Sequence, residues 1–364
     1  MEYVVWTLLG LGAAWAGLWA VSRFYLQGAD LSAFDQPAGE PRGAGQPASA
    51  ENQAVIASLG KVPLLLKDAP RSRHLALLRD YMDHVFPANE AGAQITPVQA
   101  GGVKAEWVLA GGADPSRRLL YIHGGAYIMG SPLSHRRLTT RFSEAANAVV
   151  LVIDYRLMPE NLRMAGIEDS RAAYRWMLEN GPDGASAASA VFVAGDSAGG
   201  NLTLSLIAWV RDQGLRAPDA AVALSPATDS TLASPSLKAH VRSDAMLGPL
   251  FGPLTKVPRA LLLWLGWIQN RINPRSPLIS PVYGDLSNLP PVLVHASEVE
   301  MLLDDSLRYV GRAQAAGSPV RLQTWDHMVH VWHIFNPELP EAREALEEIG
   351  KFLAAAATAD RGPR

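Results

Sequence analysis

A serine flanked by glycines is the first group in this chain whose surroundings suit covalent chemistry. Ser197 stands in the run GDSAGG (195–200), between the apolar stretch 191–194 and a helical pattern over 201–212. A strand, a sharp turn and a helix around such a serine form a nucleophile elbow, in which the tight turn lifts the hydroxyl clear of the backbone. The motif is short and fits an ordinary glycine-rich crossover loop about equally well, so the rest of the chain has to supply the other reacting groups.

The oxyanion that an attacking serine creates needs hydrogen-bond donors. The run HGGA (123–126) comes at the end of the apolar stretch LLYIH (119–123). Glycines there allow the amides of Gly124 and Gly125 to point towards the serine, and Ala198 offers a further amide at the start of the next helix. A glycine-rich turn without this role is the alternative. We expect His123 to hold the loop through hydrogen bonds and not to take part in the reaction.

A general base is expected near the C-terminal end, because serine, acid, histidine is one of the known chain orders of a serine triad. Histidines follow the apolar stretch 320–325 at three positions, His327, His330 and His333. Their position alone does not choose among them, and each on its own could be an ordinary surface or core imidazole.

The acid of the triad is expected after the apolar stretch 292–296. Carboxylates stand there at four positions, Glu298, Glu300, Asp304 and Asp305. The two aspartates also suit the N-cap and first turn of a following helix, where carboxylates are favoured. The spacing therefore favours the two glutamates.

The elements that must position these groups alternate along the chain. Short apolar runs that read as buried strands lie at 119–123, 149–154, 191–196, 221–226, 292–296 and 320–325. Helical patterns separate them, near 136–147, 167–179, 201–213 and 304–316. This alternation predicts an α/β fold with a mostly parallel central sheet and helices on both faces. An antiparallel pair of strands is predicted over 94–99 and 103–109, and Ser197 falls at the carboxyl end of a strand, where open sheets bind ligands.

The N-terminal segment reads as a membrane anchor. From Tyr3 to Val21 there is no charged residue, which is close to the length that spans a bilayer. A cleaved signal peptide is the main alternative, but no basic residue precedes the run and no clear cleavage site follows it, and a buried core helix is the other. Arg23 and Arg42 follow the span, which favours a catalytic part that faces the cytoplasm. Residues 27–50, rich in Gly, Pro, Ala and Gln, are predicted to be a flexible linker.

The remaining chain divides into N-terminal cap helices over 51–91 and a catalytic domain over 92–357. One long segment, near 228–289, interrupts the alternation of strands and helices, and a connection of this length usually has a function. It is predicted to be a cap-type insertion over the active site. Its apolar run 260–268 could pack on the domain core or touch lipid, and the sequence does not decide between these.

Composition narrows the possible functions. The net charge of −3 and pI near 6.3 give no electrostatic basis for binding nucleic acid. The chain has no cysteine, which excludes disulfides, thiolate chemistry and cysteine-type metal sites. No metal or nucleotide motif is present, so no cofactor is predicted.

Five motifs together resemble a known family. They are HGGAYIMGSPLSHR, DYRLMPE, GDSAGGN, LSP and WDHMVHVW, and the resemblance that they carry covers roughly residues 70 to 350. The set resembles the hormone-sensitive-lipase-like branch of the α/β-hydrolase superfamily, which includes bacterial carboxylesterases and acetyl-hydrolases and the arylacetamide deacetylases. The resemblance implies an α/β-hydrolase fold with a helical cap, and hydrolysis of small-molecule esters of short to medium acyl chains. Lactones, amides and lipid esters are alternative substrates, and a non-catalytic binding protein is disfavoured because the serine and a histidine both remain.

The resemblance also implies roles for individual residues. The nucleophile of the family falls on Ser197, and its oxyanion donors fall on Gly124, Gly125 and Ala198. Ala126 stands where most members have a third glycine, a change shared by a subset that should leave the two amides in place.

The acid and the base of the family fall on Glu300 and His330. The acid position lies four residues before an Asp-Asp or Asp-Glu pair, and the histidine follows a G-M-x-H pattern. Glutamate replaces the more common aspartate here, and His327 stands where glycine is usual. The resemblance therefore predicts a Ser197–His330–Glu300 triad with an unusual acid.

Overall fold

The computed structural model describes residues 6, 16–36, 39–43, 45–85 and 92–358. Runs of Val, Leu, Ile and Ala form its central strands, because β-branched and aliphatic side chains fill both faces of a buried sheet. The strands are β1 Glu40–Arg42, β2 Ala93–Ala100, β3 Val103–Ala110, β4 Arg117–Ile122, β5 Val149–Ile153, β6 Ala190–Asp196, β7 Ala220–Leu224, β8 Val292–Ser297 and β9 Val320–Trp325.

These nine strands of the described chain form one sheet in the order β1-β9-β8-β7-β6-β4-β5-β3-β2. In this spatial order, each strand from β1 across to β5 is parallel to the next. Strand β3 is antiparallel to both of its neighbours, β5 and β2. The mostly parallel α/β sheet predicted from the sequence is confirmed, as is the β2–β3 antiparallel pair. β6 lies in the middle of the sheet, where Gly195 is in register with Ile122 of β4 and Ala223 of β7.

Helices cover both faces of the sheet. Their bounds are α1 Ala50–Leu59, α2 Val62–Lys67, α3 His74–His84, α4 Pro132–Ala146, α5 Arg163–Glu179, α6 Ala198–Asp212, α7 Ser236–Ala239, α8 Gly248–Phe251, α9 Arg259–Asn270, α10 Leu303–Ala315 and α11 Pro340–Thr358. Ile167 of α5 and Leu202 of α6 pack on one face. Leu138 of α4 and Ile349 of α11 pack on the other.

The segment 228–289 is folded and contains α7, α8 and α9, joined by short turns. In α9, which carries the apolar run 260–268, Leu263 is buried. Leu261, Leu265 and Ile268 are 50%, 52% and 65% exposed. The helix is therefore only partly packed on the body of the protein.

The prediction of a single N-terminal membrane span, with a catalytic part facing the cytoplasm, is wrong. Residues 1–5 and 7–15 lie outside the described residues, and among those described no helix combines the length and apolarity needed to cross a bilayer. The helical segment 16–26 instead packs against α9. Ser22 Oγ accepts a hydrogen bond of 2.8 Å from Trp264 Nε1, and the rings of Tyr25 and Trp267 meet edge to face at 5.5 Å. Leu26, at its end, is fully buried.

Residues 27–50 are expected to be a flexible linker, and several of those that the structure describes pack against the edge of the sheet and its helices. Leu31 is buried beside α10, and Arg308 of that helix pairs with Asp35. Glu40–Arg42 then adds strand β1 in parallel to β9. Backbone pairing forms this strand, because none of its three side chains is buried.

Candidate active site

Ser197 occupies a strained turn between β6 and α6. Its backbone has φ 52° and ψ −114°, a left-handed conformation that is rare for a residue with a side chain. A Cβ atom at Gly199 would lie 1.8 Å from the carbonyl oxygen of Ile122, and one at Gly195 would lie 2.5 Å from the oxygen of Gly199. Glycine is therefore required on both sides of the serine, because the strand and the helix approach too closely for any side chain.

His330 lies in the loop after β9 and bridges the serine to a carboxylate. Its Nε2 is 2.9 Å from Ser197 Oγ, and its Nδ1 is 2.6 Å from Glu300 Oε2. With the proton on Nδ1, the imidazole donates to Glu300 and accepts the hydroxyl proton of Ser197. The structure thus brings together the three side chains that the sequence singled out.

Glu300 is fully buried in the turn after β8. Its second oxygen, Oε1, accepts a hydrogen bond of 3.0 Å from the backbone amide of Ser297. Asp304 and Asp305 have other partners, since they accept amides of the segment 228–289, from Ser236 and from Thr228 and Asp229 respectively.

The two other C-terminal histidines are placed elsewhere. The carbonyl oxygen of His327 accepts a hydrogen bond of 2.8 Å from Asn52 Nδ2 in α1. His333 is buried with its Nε2 3.0 Å from Nδ1 of His295. Neither makes a hydrogen bond to Ser197.

The protonation of His330 is set by two opposing effects. Burial lowers its pKa, because a charged imidazolium is poorly solvated there. The hydrogen bond to Glu300 and the charge of that carboxylate outweigh burial, so the pKa of His330 is raised above 6.5. The imidazole is therefore more basic than a free histidine.

The loop after β4 lines the same pocket as the serine, with one change from the sequence-based expectation. The amide of Gly124 donates to Asp196 Oδ1 at 3.0 Å and is buried, so this geometry does not leave it for an oxyanion. Gly125 and Ala126 line the same pocket as Ser197 and Ala198. Spacing located the loop correctly, but the direction of each amide depends on backbone angles that spacing does not reveal.

A buried carboxylate that the sequence reasoning missed organises this loop. Asp196 Oδ1 also accepts a hydrogen bond of 2.9 Å from Tyr121 and lies 3.3 Å from His135 Nε2. Burial raises the pKa of Asp196, but His135 and the hydrogen bond from Tyr121 outweigh it, and the pKa is lowered. The signal available was its place directly before Ser197 on a fully buried strand.

A pocket of about 810 Å³ opens above the serine. Leu78 and Met82 of α3 line one wall. Leu250, Phe251 and Leu262, from the segment 228–289, line another. Both predicted cap regions therefore contribute to a largely apolar chamber. Among the described residues, no cluster of three or more acidic or histidine side chains is placed to hold a metal ion.

Comparison with known proteins agrees with this geometry. A family model described as the alpha/beta hydrolase fold matches residues 119–334. An acetyl-hydrolase from Streptomyces hygroscopicus is 40% identical over 260 residues, which are 71% of this chain and 82% of the relative. An esterase from Acinetobacter venetianus is 31% identical over 300 residues, which are 82% of this chain and 94% of the relative.

Solved structures give the same result. The crystal structure of an esterase from the bacterial hormone-sensitive lipase family superposes with a TM-score of 0.73 at 34% identity. The match covers 86% of this chain and all of that one. The esterase EstE5, soaked with p-nitrophenyl butyrate, superposes with a TM-score of 0.73 at 35% identity over the same shares of the two chains.

The chain belongs to the alpha/beta hydrolase family, in its hormone-sensitive-lipase-like branch. It is an enzyme of the carboxylic ester hydrolase class.

Proposed function

We propose that this protein cleaves carboxylic esters of short to medium acyl chains through a Ser197–His330–Glu300 triad and an acyl-enzyme intermediate. The observation that carries the proposal is the unbroken line of hydrogen bonds from Ser197 Oγ through both nitrogens of His330 to Glu300. A nucleophile, a base and an orienting acid in this arrangement define the chemistry of a serine hydrolase.

In the first half of the reaction, His330 Nε2 takes the hydroxyl proton as Ser197 Oγ bonds to the ester carbonyl carbon. The carbonyl oxygen becomes an oxyanion, which the amides of Gly125, Ala126 and Ala198 stabilise. Ala198 is the first residue of α6, where amides have no partner within the helix. The tetrahedral centre then expels the alcohol, which leaves with the proton from His330.

In the second half, His330 takes a proton from water, and the resulting hydroxide bonds to the acyl carbon. The intermediate collapses, Ser197 recovers its proton from His330, and the carboxylic acid leaves. Glu300 holds the imidazole in the correct tautomer and stabilises its positive charge in both halves. Oxyanion donors of this kind contribute roughly 100- to 1,000-fold each to the rate.

The size and apolar walls of the pocket favour acyl groups longer than acetyl as substrates. Its volume of about 810 Å³ lies within the range of small-molecule sites, and its walls near Leu78, Phe251 and Leu262 are apolar. The relative EstE5 was soaked with a butyrate ester. The name of the Streptomyces relative, an acetyl-hydrolase, makes acetyl esters the second candidate substrate.

The triad is tested by two substitutions. Ser197→Ala is expected to abolish hydrolysis of p-nitrophenyl butyrate. Glu300→Gln should lower kcat by about 1,000-fold or more, because the amide no longer fixes the tautomer of His330. Glu298→Gln, two residues away in the same turn, is the matched control and should leave kcat unchanged. Activity that survives in Ser197→Ala would rule out the proposal.

The acyl preference is tested with p-nitrophenyl esters from acetate to dodecanoate. A maximum of kcat/KM between butyrate and octanoate is expected, because such chains fit the apolar chamber. A steady increase up to dodecanoate would contradict the short-to-medium preference and would favour lipid esters.

A further inference from the structure

One side chain in the apolar chamber is a cation. Arg163 stands at the start of α5, is 8% exposed and lines the same pocket as Ser197. Its guanidinium carbon lies 3.9 Å from the ring centre of Tyr127, so the two planes are in contact. Tyr127 belongs to the loop that carries Gly125, the proposed oxyanion donor, so Arg163 contacts a loop that lines the same pocket as Ser197.

The contacts of Arg163 leave its charge uncompensated. Its Nη1 donates to Ser230 Oγ at 3.1 Å, and its Nη2 donates to Asn201 Oδ1 at 3.2 Å and to the carbonyl of Ile279 at 3.3 Å. All three acceptors are neutral. Among the described residues no carboxylate forms an ion pair with Arg163, and its Nε has no acceptor. Burial lowers the pKa of Arg163, as it does for a cation without an anion beside it.

The hydroxyl of Tyr127 is a second donor without a partner. It is buried, lines the same pocket, and makes no hydrogen bond within the described chain. Burial raises the pKa of Tyr127, so the phenol keeps its proton and remains a donor. A buried polar group without a hydrogen bond is destabilising, so two such groups side by side suit a ligand that supplies acceptors.

Three acidic side chains line this chamber, and each has other partners. Asp196 accepts hydrogen bonds from Tyr121 and the amide of Gly124. Asp305 accepts the amides of Thr228 and Asp229, which fixes the start of the insertion. Asp229 accepts the amide of Thr231 at 2.7 Å and the hydroxyl of Tyr283 at 3.2 Å. None of the three carboxylates neutralises Arg163 by contact.

We propose that Arg163 and Tyr127 form an anion-recognising subsite that binds a carboxylate carried by the acyl or the alcohol part of the ester. A guanidinium presents several N–H donors in one plane and matches the two oxygens of a carboxylate. The preferred substrates are then half-esters of dicarboxylic acids or esters of hydroxy acids, with an apolar portion in the remaining chamber. This inference rests on the ester hydrolysis proposed above and adds its substrate class.

The test compares esters that differ only in charge. For the acyl side, kcat/KM for the charged p-nitrophenyl hydrogen glutarate is compared with that for the neutral p-nitrophenyl pentanoate. For the alcohol side, the charged para-acetoxybenzoate is compared with the neutral para-acetoxytoluene. Arg163→Gln should lower kcat/KM for the charged member of at least one pair by about 10-fold or more, mainly through KM. The neutral member should change by less than about 3-fold. Tyr127→Phe should act in the same direction, and Arg163→Lys should restore part of the preference.

The matched control is Arg171→Gln, on the same helix, whose guanidinium lies over Trp209 and outside the pocket. Equal losses of kcat/KM for charged and neutral esters in Arg163→Gln would overturn the proposed subsite. Arg163 would then have only a structural role, through its hydrogen bonds to Asn201 and Ser230. If Arg163→Gln does not fold, inhibition of the wild type by glutarate against neutral glutaramide decides instead, and equal inhibition overturns the proposal. Wild-type turnover of p-nitrophenyl butyrate without a charge preference would remove the subsite and leave the esterase proposal standing.

Discussion

At the scale of single residues, the two carboxylate oxygens of Glu300 accept hydrogen bonds from different partners. Oε2 accepts a hydrogen bond from His330 Nδ1, and Oε1 accepts one from the backbone amide of Ser297, three positions earlier. The longer side chain of glutamate folds back on its own turn and is held there. The extra methylene of glutamate, relative to aspartate, is thus taken up by the local hydrogen bond, and the carboxylate still reaches the histidine.

The raised pKa of His330 predicts the acidic limb of the pH profile. The base must be neutral, so kcat/KM should fall as the pH drops through a pKa above 6.5. A titrimetric assay with ethyl butyrate measures this limb without interference from nitrophenol ionisation.

The effect of Glu300 on the pKa of His330 can be tested in a variant. Glu300→Gln removes the charge that raises the pKa, so the imidazole of His330, followed by NMR, should titrate at lower pH than in the wild type. Glu298→Gln should leave that titration in place. An unchanged pKa in Glu300→Gln would show that another group sets it.

At the scale of elements, the reactive serine depends on how closely α6 crosses β4. The carbonyl of Ile122 occupies the space that a side chain at position 199 would need. The conformation of this turn therefore depends on the packing of α6 against β4 as well as on the residues of the turn itself.

Gly199→Ala tests this packing. A Cβ 1.8 Å from a backbone oxygen forces the helix away from the strand, and we expect the free energy of unfolding to fall by about 3 kcal/mol, with activity lost. Gly111→Ala, in an open turn with no atom within 4 Å of the added carbon, should change stability by less than about 0.5 kcal/mol. Urea unfolding of both variants provides the measurement, and equal midpoints would contradict the packing argument.

At the scale of the whole molecule, one arginine makes several of the contacts between helix α3 and the hydrolase body. Arg79 of α3 donates to the carbonyl of Ile128 at 2.7 Å and to that of Met158 at 3.0 Å, and it pairs with Glu160 at 2.8 Å. Ile128 follows Gly125 and Ala126, the proposed oxyanion donors, so the position of α3 is linked to the loop that carries them.

Arg79→Met should loosen this connection. We expect KM for p-nitrophenyl octanoate to rise by about 10-fold, because Leu78 and Met82 of the same helix line the chamber, while acetate turnover changes little. Hydrogen exchange over 74–84 should become faster. Arg73→Met, at an exposed position just before α3, is the control and should affect neither. A rise in KM that is the same for acetate and octanoate would argue against a role in holding the cap.

Much of this architecture follows from local sequence signals. Continuous apolar runs predict buried parallel strands, and the positions after them place Ser197, two glutamates and three histidines at one edge of the sheet. The family resemblance, and not the spacing, selects Glu300 and His330 among these. The amide of Gly124 was not predictable, because its partner Asp196 is chosen by backbone angles.

The N-terminal segment shows a different limit. An apolar stretch looks the same whether lipid or protein will cover it, and the partners of Ser22 and Tyr25 are Trp264 and Trp267, more than two hundred residues away. No local pattern contains such information.

The two outer strands of the sheet each contain a proline, Pro41 in β1 and Pro97 in β2. Every open sheet ends in strands whose outward backbone groups can recruit a strand from another chain, and this is a common route to aggregation. Proline has no N–H to offer and is tolerated mainly at such margins. We therefore expect the prolines of β1 and β2 to disfavour pairing of the two sheet edges with strands of other molecules.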